Sequence, residues 1–518
     1  AMDFSRDPIT SFLAGRSILI TGATGFLGKV LLEKIIRSTP DVGTIFLLVR
    51  PKRKLSAAER VATMLEESRA FTRLREAYGE AWKGKVVAIG GDVGEAGLGM
   101  SAADRARVVR ECEVVLHLAA TVDFNAPIKK AFRLNVGGLR GVLEVCAEIE
   151  AQREGRLAVF VHVSTCYVNA LHYSGNGAAA ADARVTETIE PLSFDYVALE
   201  ERLRAMSEEE ARTATPALLA ELGGWPNTYT LSKRVAEELL ERDPAARRLP
   251  IVVVRPSIIC AALREPMPGW VDSLIGPSGL ILAAWLGAVH VYKVDPGAIF
   301  DLIPVDYVSN AILVAAWSRA SRGRLSVRDE ERGLSASGCV VAICSSVSNP
   351  VTFNKLQVLQ AMILEFEEWQ SPKRVAPCYG EFVVDPLEFA VKDMVLHTLP
   401  ALLVDAALLV TGRTPFVLKS KFAVDSQMVN ILRFFTEHEW RFDATRMEEM
   451  LAAVPPAHRD AFACDARLIQ WDVLFLTMGV GMKQFLLNEW ASPMEAWEAG
   501  KAGRTQRSVL PRSIMSRL

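Results

Sequence analysis

Tyr229 and Lys233, four residues apart in TYTLSKRVAEELL, stand at the start of a helical pattern and therefore share one face of it. A phenol with an ordinary pKa of about 10 exchanges protons poorly at neutral pH, and a neighbouring ammonium acidifies it by favouring the phenolate. The pair reads as a proton donor, Tyr229, tuned by Lys233. Upstream, VHVSTCYVNA closes a strand-like run with two hydroxyls, Ser164 and Thr165. Beside the phenol, either would hydrogen-bond a carbonyl oxygen as negative charge builds on it; Thr165 is preferred, with Ser164 next. Cys166 follows directly, but no histidine stands nearby to activate it, so it reads as a structural thiol. His117 and His162 lie inside apolar strands and read as core.

ILITGATGFLGKV, Ile18 to Val30, places Gly22, Gly25 and Gly28 between a strand and a helix. In that context the first glycine permits a tight turn, the second lets a pyrophosphate touch backbone, and the third lets helix and strand pack closely. The helix N-terminus adds free N–H groups and the positive end of a dipole. A dinucleotide is the expected ligand. Where an NAD site carries a carboxylate for the ribose 2′-hydroxyl, the second strand ends in LLVRPKR, with Arg50, Lys52 and Arg53. A guanidinium grips a 2′-phosphate that a carboxylate would repel, so NADPH is the expected cofactor. GGDV brings Asp92 to a strand end within reach of the adenine amino group. Thr21, Thr24, Phe26, Leu27, Val93 and Ala119 complete the expected cofactor contacts.

These residues need a scaffold, and seven β-rich runs supply it: SILITGA, TIFLLVR, KVVAIGGDV, EVVLHLAA, LAVFVHVST, PIVVVRPS and CVVAICSS. Several are apolar on both faces, as strands covered on two sides must be. Helical patterns, such as 26–37 and 128–150, separate them. The expected fold is α/β, a doubly wound parallel sheet of Rossmann type with a helical C-terminal domain. We divide it as 1–378, the dinucleotide-binding domain with its substrate insertions, and 379–518, the helical unit. Residues 170–226 read as a polar, alanine-rich insertion.

Half of the 518 residues are apolar, enough for a large core, and the formal charge is only −2. No global field recruits nucleic acid, so any anionic ligand must be held locally. The cysteines at 112, 146, 166, 260, 339, 344, 378 and 464 form no CxxC pair, and no histidine has metal-ligand spacing. Free thiols in a reducing compartment, and no metal, are expected. The opening AMDFSRDPIT lacks a leader pattern, so a cytoplasmic chain is expected, with contact at a membrane surface as the alternative. MVLHTLPALLVDAALLVTG, from Met394, is interrupted by His397, Pro400 and Asp405 and reads as a buried helix rather than a membrane span. The basic C-terminal segment from Lys501 reads as a solvated tail.

Taken together, TGATGFLG, the Tyr229 and Lys233 pair, VSTCYVN, VVRPSII and DLIPVDYVSNAI resemble the extended short-chain dehydrogenase/reductase superfamily, specifically its alcohol-forming fatty acyl-CoA reductase branch, the male-sterility family. The resemblance runs through nearly the whole chain, including REPMPGWVDSLIGPSGLILAAW and LHTLPALLVDAALLVTGRTP. It implies NADPH and a fatty acyl thioester of CoA, or of an acyl carrier protein. It also implies reduction through a hemithioacetal and an aldehyde to a primary alcohol, chemistry of lipid metabolism such as wax ester biosynthesis. Tyr229 would be the proton donor, Lys233 would also hold ribose, Thr165 or Ser164 would position the carbonyl, and Pro256, Ser257 and Ile258 would flank the nicotinamide. Ala170 stands where related chains often carry glycine. An acyl tunnel would run along 273–292 and the C-terminal helices, residues that would serve equally as ordinary core. The rivals are a reductase that stops at aldehyde, a sugar-nucleotide epimerase or dehydratase, and a non-catalytic NADP-binding scaffold. The retained tyrosine and lysine argue against the scaffold, and the apolar C-terminal unit argues against a sugar.

Overall fold

A computed structural model describes residues 7–489 except 53, 153–154, 170, 172–183, 322–338, 365–370, 378, 425–433 and 436–437. Arg53, Ala170, Cys378 and the basic tail from Lys501 therefore lie outside the described residues. Each of the seven β-rich runs forms a strand: β1 (Ser17–Thr21), β2 (Ile45–Val49), β3 (Val86–Gly90), β4 (Cys112–His117), β5 (Val159–Val163), β6 (Ile251–Pro256) and β7 (Val340–Ile343). They form one seven-stranded sheet in the order β7–β6–β5–β4–β1–β2–β3, parallel throughout. Strand order reverses between β1 and β4, and a doubly wound sheet opens its ligand crevice at the carboxyl ends there.

The alternation of side chains explains why both faces are apolar. Ile18 and Ile20 enter one core while Leu19 enters the other; Leu47 and Phe46 divide in the same way. Helices α1 (Phe26–Ser38) and, further along the chain, α4 (Val305–Ser321) cover the first face. Helices α2 (Gly138–Gln152) and α3 (Thr228–Arg242) cover the second. The pattern over 128–150 is interrupted, because a short helix Ile128–Phe132 passes through a π turn, Arg133–Gly137, before α2.

The C-terminal residues are threaded into the rest. Strand Glu381–Val383 pairs with Val291–Lys293, and Arg441–Phe442 pairs with Arg184–Val185 from the insertion. Lys34, buried in α1, meets Glu265 at 2.8 Å and lies over the Phe462 ring. Helices α5 (Pro386–Asp393), α6 (Leu399–Val410), α7 (Val417–Val424) and α8 (Trp471–Gly481) lie in this part, with a further helix at Thr445–Ala453. Gly479 of α8 sits so close to Trp285 that a Cβ there would approach the indole to 2.1 Å.

One expectation is overturned. The apolar stretch around Met394–Val410 is helical, but only 11% of its most apolar window is buried. Of its interruptions, His397 faces the body of the protein and bonds to His290, Pro400 is exposed, and Asp405 bonds to the turn that follows α6; Ala401 is the one buried residue of α6. The apolar residues between them are left outward. The cysteines at 112, 146, 166, 260, 344 and 464 are buried, Cys339 is partly so, and all seven are free thiols. His117 and His162 are core residues, as expected.

Candidate active site

Helix α3 begins at Asn227, whose side chain accepts from the Thr230 N–H at 2.9 Å, while the Thr228 hydroxyl donates to the Ala126 carbonyl at 2.9 Å. These two anchors set the first turn, which carries Tyr229, and one turn later Lys233. Lys233 is 3% exposed, and its Nζ donates to the carbonyl of Val163, the last residue of β5, at 2.7 Å. Ser164 and Thr165 follow immediately, so one bond ties the helix to the strand end that bears the hydroxyls. The half-buried Tyr229 stacks on Phe124 with ring centres 5.3 Å apart.

The electrostatics differ from the sequence expectation. Burial pushes the Tyr229 phenol up to about 12, opposed by an interaction with the Thr165 side chain. Burial outweighs the acidification expected of Lys233, whose Nζ donates to the Val163 carbonyl. Burial in turn lowers Lys233 to about 8, against the attraction of Glu237. Tyr229 therefore stays protonated at neutral pH, as a proton donor requires. The Ser164 hydroxyl is buried and has no hydrogen-bond partner among the described residues, which leaves it as a donor for a ligand.

On the same edge of the sheet lies the glycine turn. Gly22 has φ +77°, and a Cβ there would come within 2.7 Å of the Ala119 nitrogen. A Cβ on Gly28 would meet the Gly22 carbonyl oxygen at 2.3 Å. Gly25 caps α1 without a side chain, so the first N–H groups of the helix are not taken up by a capping side chain. Phe26 stacks on Trp270 at 5.2 Å and Leu27 packs into the core, so at these positions it is the backbone that can face a ligand. This cradle fits a pyrophosphate.

The other expected contacts divide in two. The Thr21 hydroxyl is engaged inside the protein, with His117 Nδ1 at 2.7 Å and as acceptor from the Ala119 N–H at 3.2 Å, so its contribution is to hold the turn. Thr24 is half-buried in the turn. Arg50 is 60% exposed at the end of β2, with Nη1 3.5 Å from the Asp92 carboxylate, which also accepts from the Gly94 N–H at 2.9 Å. Val93 is half-buried beside Gly138. Pro256 ends β6; the Ser257 and Ile258 N–H groups bond to the Ile343 and Asp301 carbonyls at 3.0 and 3.3 Å.

Four positions escaped the sequence reading. Asn135, in the π turn, accepts from the Thr121 N–H at 2.8 Å and donates to the Ser232 hydroxyl at 2.9 Å, fastening the loop after β4 to α3. Phe124 covers Tyr229, and Phe435 reaches Phe124 at 5.7 Å and Tyr167 at 4.8 Å from the far end of the chain. The Asp306 carboxylate, inside the quoted DLIPVDYV, accepts from the N–H groups of Leu263, Arg264 and Glu265 at 3.0, 2.8 and 3.1 Å. Asn135 stood in a recognisable LNVGG run, whereas nothing local marks Phe435.

The expected tunnel region holds a cavity lined by Leu280, Ile281, Trp285, Tyr292, Phe475 and Met478, among others. It measures about 60 Å³.

A phenol, an amine and paired hydroxyls at the carboxyl edge of a doubly wound sheet, beside a dinucleotide turn, define a nicotinamide-dependent reductase of the short-chain dehydrogenase type. Two family models described as "Male sterility protein" match residues 20–312 and 396–489. The chain belongs to this family of fatty acyl-CoA reductases. Fatty acyl-CoA reductase 1 of Xenopus laevis is 33% identical over 488 residues, covering 94% of this chain and 88% of the relative; that of Rattus norvegicus is 33% identical over 490 residues with the same coverage. Among solved structures, the terminal R domain from the myxalamid PKS-NRPS biosynthetic pathway shares the fold, with TM-score 0.55, 21% identity and 91% of each chain covered.

Proposed function

We propose that this protein reduces fatty acyl-CoA to the primary fatty alcohol with NADPH as donor. The observation that carries the reading is the bond from Lys233 Nζ to the Val163 carbonyl, which ties the helix bearing Tyr229 to the end of β5 where Ser164 and Thr165 follow, in a chain of this family. When bound, the nicotinamide supplies a hydride to the thioester carbonyl carbon. The hydroxyls of Thr165 and Ser164 hydrogen-bond the carbonyl oxygen and stabilise its growing charge. Tyr229 passes its proton to that oxygen, giving a hemithioacetal, whose collapse releases CoA thiol and leaves an aldehyde. The same side chains then serve a second reduction, to alcohol. Lys233, at the foot of the site, holds ribose while its ammonium is charged. The backbone of Gly22, Gly25 and Gly28 carries the pyrophosphate, and the exposed Arg50 supports the choice of NADPH by offering a cation to a 2′-phosphate.

The deciding experiment mixes purified protein with long-chain acyl-CoA and compares cofactor consumed with thiol released, for NADPH and NADH in parallel. Two NADPH per thiol is the expected result. One per thiol with accumulating aldehyde would replace alcohol formation by aldehyde release, and equal rates with NADH would remove the 2′-phosphate role of Arg50.

A further inference from the structure

Helices α5 and α6 and the π turn between them, Met394–Thr398, run as one 25-residue helix, Pro386–Val410, with mean hydropathy 1.7 over its most apolar window. At the far end, α6 turns back through TGRTP into α7, making a helical hairpin. Its turn is built by Asp405, whose carboxylate accepts from the N–H groups of Phe416, Val417 and Leu418, each at 2.9 Å. Leu402, Leu403 and Val404 are all exposed, and successive helical residues point about 100° apart. Leu409 and Val410 are exposed too, Val410 by 88%, and Phe416 by 59%. Apolar surface therefore wraps most of the circumference of α6. A protein partner covers one face of a helix; a surface apolar on nearly every side calls for an apolar medium around it.

Charge selects the medium. Between Met394 and Val424 the chain carries Arg413, Lys419 and Lys421 and a single carboxylate, Asp405, occupied by its three N–H groups. Arg413 and Lys419 are exposed beside the apolar tip. An apolar body with a basic rim matches the boundary between acyl chains and anionic headgroups. The other end of the long helix is fastened to the protein: His397 accepts from the His290 N–H at 2.9 Å, Lys392 pairs with Glu381, and Asp393 pairs with Lys421 at 3.0 Å. The contacts of His397 with His290 and of Lys392 with Glu381, both on the near half, hold that half to the protein, while the Asp393–Lys421 pair closes the hairpin on itself; the far half is left to dip into a bilayer.

The placement has a functional sense. Helix α5 packs against strand Val291–Lys293, which pairs with Glu381–Val383. Tyr292 and Phe382 of those strands line the apolar cavity. We propose that the α6–α7 hairpin inserts into the surface of an anionic phospholipid membrane, bringing the wall of the acyl cavity to the lipid. Substrates and products with long alkyl chains are then exchanged beside the layer that dissolves them.

The test is flotation of the full chain with vesicles of phosphatidylcholine containing phosphatidylglycerol, against neutral phosphatidylcholine vesicles. The unaltered chain is expected to float with the anionic vesicles. The double variant Leu403→Glu/Val410→Glu, at exposed positions outside the active site, should float about tenfold less or worse while keeping its turnover without vesicles. Arg413→Glu/Lys419→Glu should lose binding to anionic vesicles selectively. A fluorophore on Val410→Cys gives an independent reading, with a blue shift on adding vesicles as the supporting result and no shift as the opposing one. Failure of the unaltered chain to float overturns the proposal, as does undiminished flotation of the double variant, which would assign binding to another segment. A lipid-free dimer that the double variant splits would assign the hairpin to a second copy instead.

Discussion

At Tyr229 burial holds the phenol in its protonated form at neutral pH, so the proton is in place when charge appears on the substrate oxygen. Phe124 stacks on the ring, and burial keeps the phenol neutral. Tyr229→Phe should leave cofactor affinity within about twofold and lower turnover by about 10²-fold or more; near-normal turnover in a steady-state assay would exclude the phenol as donor. Lys233 carries the pH dependence. Its pKa falls from 10.5 to about 8 on burial. Between those values the unfolded chain binds the extra proton, so this group's contribution to stability rises with pH across that window and is most unfavourable below it. The ammonium proposed to hold ribose is lost in the same window. Cofactor affinity should therefore weaken as pH rises through about 8, and Lys233→Arg should abolish that trend. A dissociation constant flat from neutral to alkaline pH in the unaltered protein would remove the lysine from the cofactor site.

At the scale of elements, the carboxyl edge of the sheet is assembled from backbone constraints. The Gly28 position shows how little freedom exists: an added methyl group would overlap the Gly22 carbonyl at 2.3 Å, with backbone on both sides. Gly28→Ala should cost about 1–3 kcal/mol of stability and displace α1 from β1. Thermal melting with and without NADPH checks it, and a variant with unaltered melting temperature and affinity would show that the turn adapts. Asp306 has a comparable role at a distance, holding three consecutive N–H groups of the 263–265 loop, which explains a motif aspartate with no place in the chemistry.

At the scale of the molecule, both ends of the chain build the site. Phe435 packs on Phe124 and Tyr167, Trp440 meets Tyr167 at 5.2 Å, and Arg441–Phe442 adds a strand to the insertion. Glu187, bonded to the N–H groups of Ala342 and Arg446 and raised by burial to about 7, bridges the insertion, the sheet and the C-terminal part. A chain ending at residue 378 would keep every proposed catalytic group yet expose the aromatic cluster behind Tyr229. It should be inactive and bind a hydrophobic dye strongly; a soluble, active fragment would refute the view that the C-terminal residues complete the site.

The sequence alone determined the seven strands, the glycine turn, the Tyr229 and Lys233 pair and the hydroxyls after β5, because each is written in local spacing that backbone periodicity converts directly into geometry. It misjudged the phenol's environment and the burial of the Met394–Val410 helix, since both depend on which surfaces meet. Only the tertiary structure decided that Lys233 turns to Val163, that Phe435 arrives beside Phe124, and that an apolar helix is left facing outward. Desolvation and long-range contact are properties of the packed whole, and residue spacing along the chain carries no record of them.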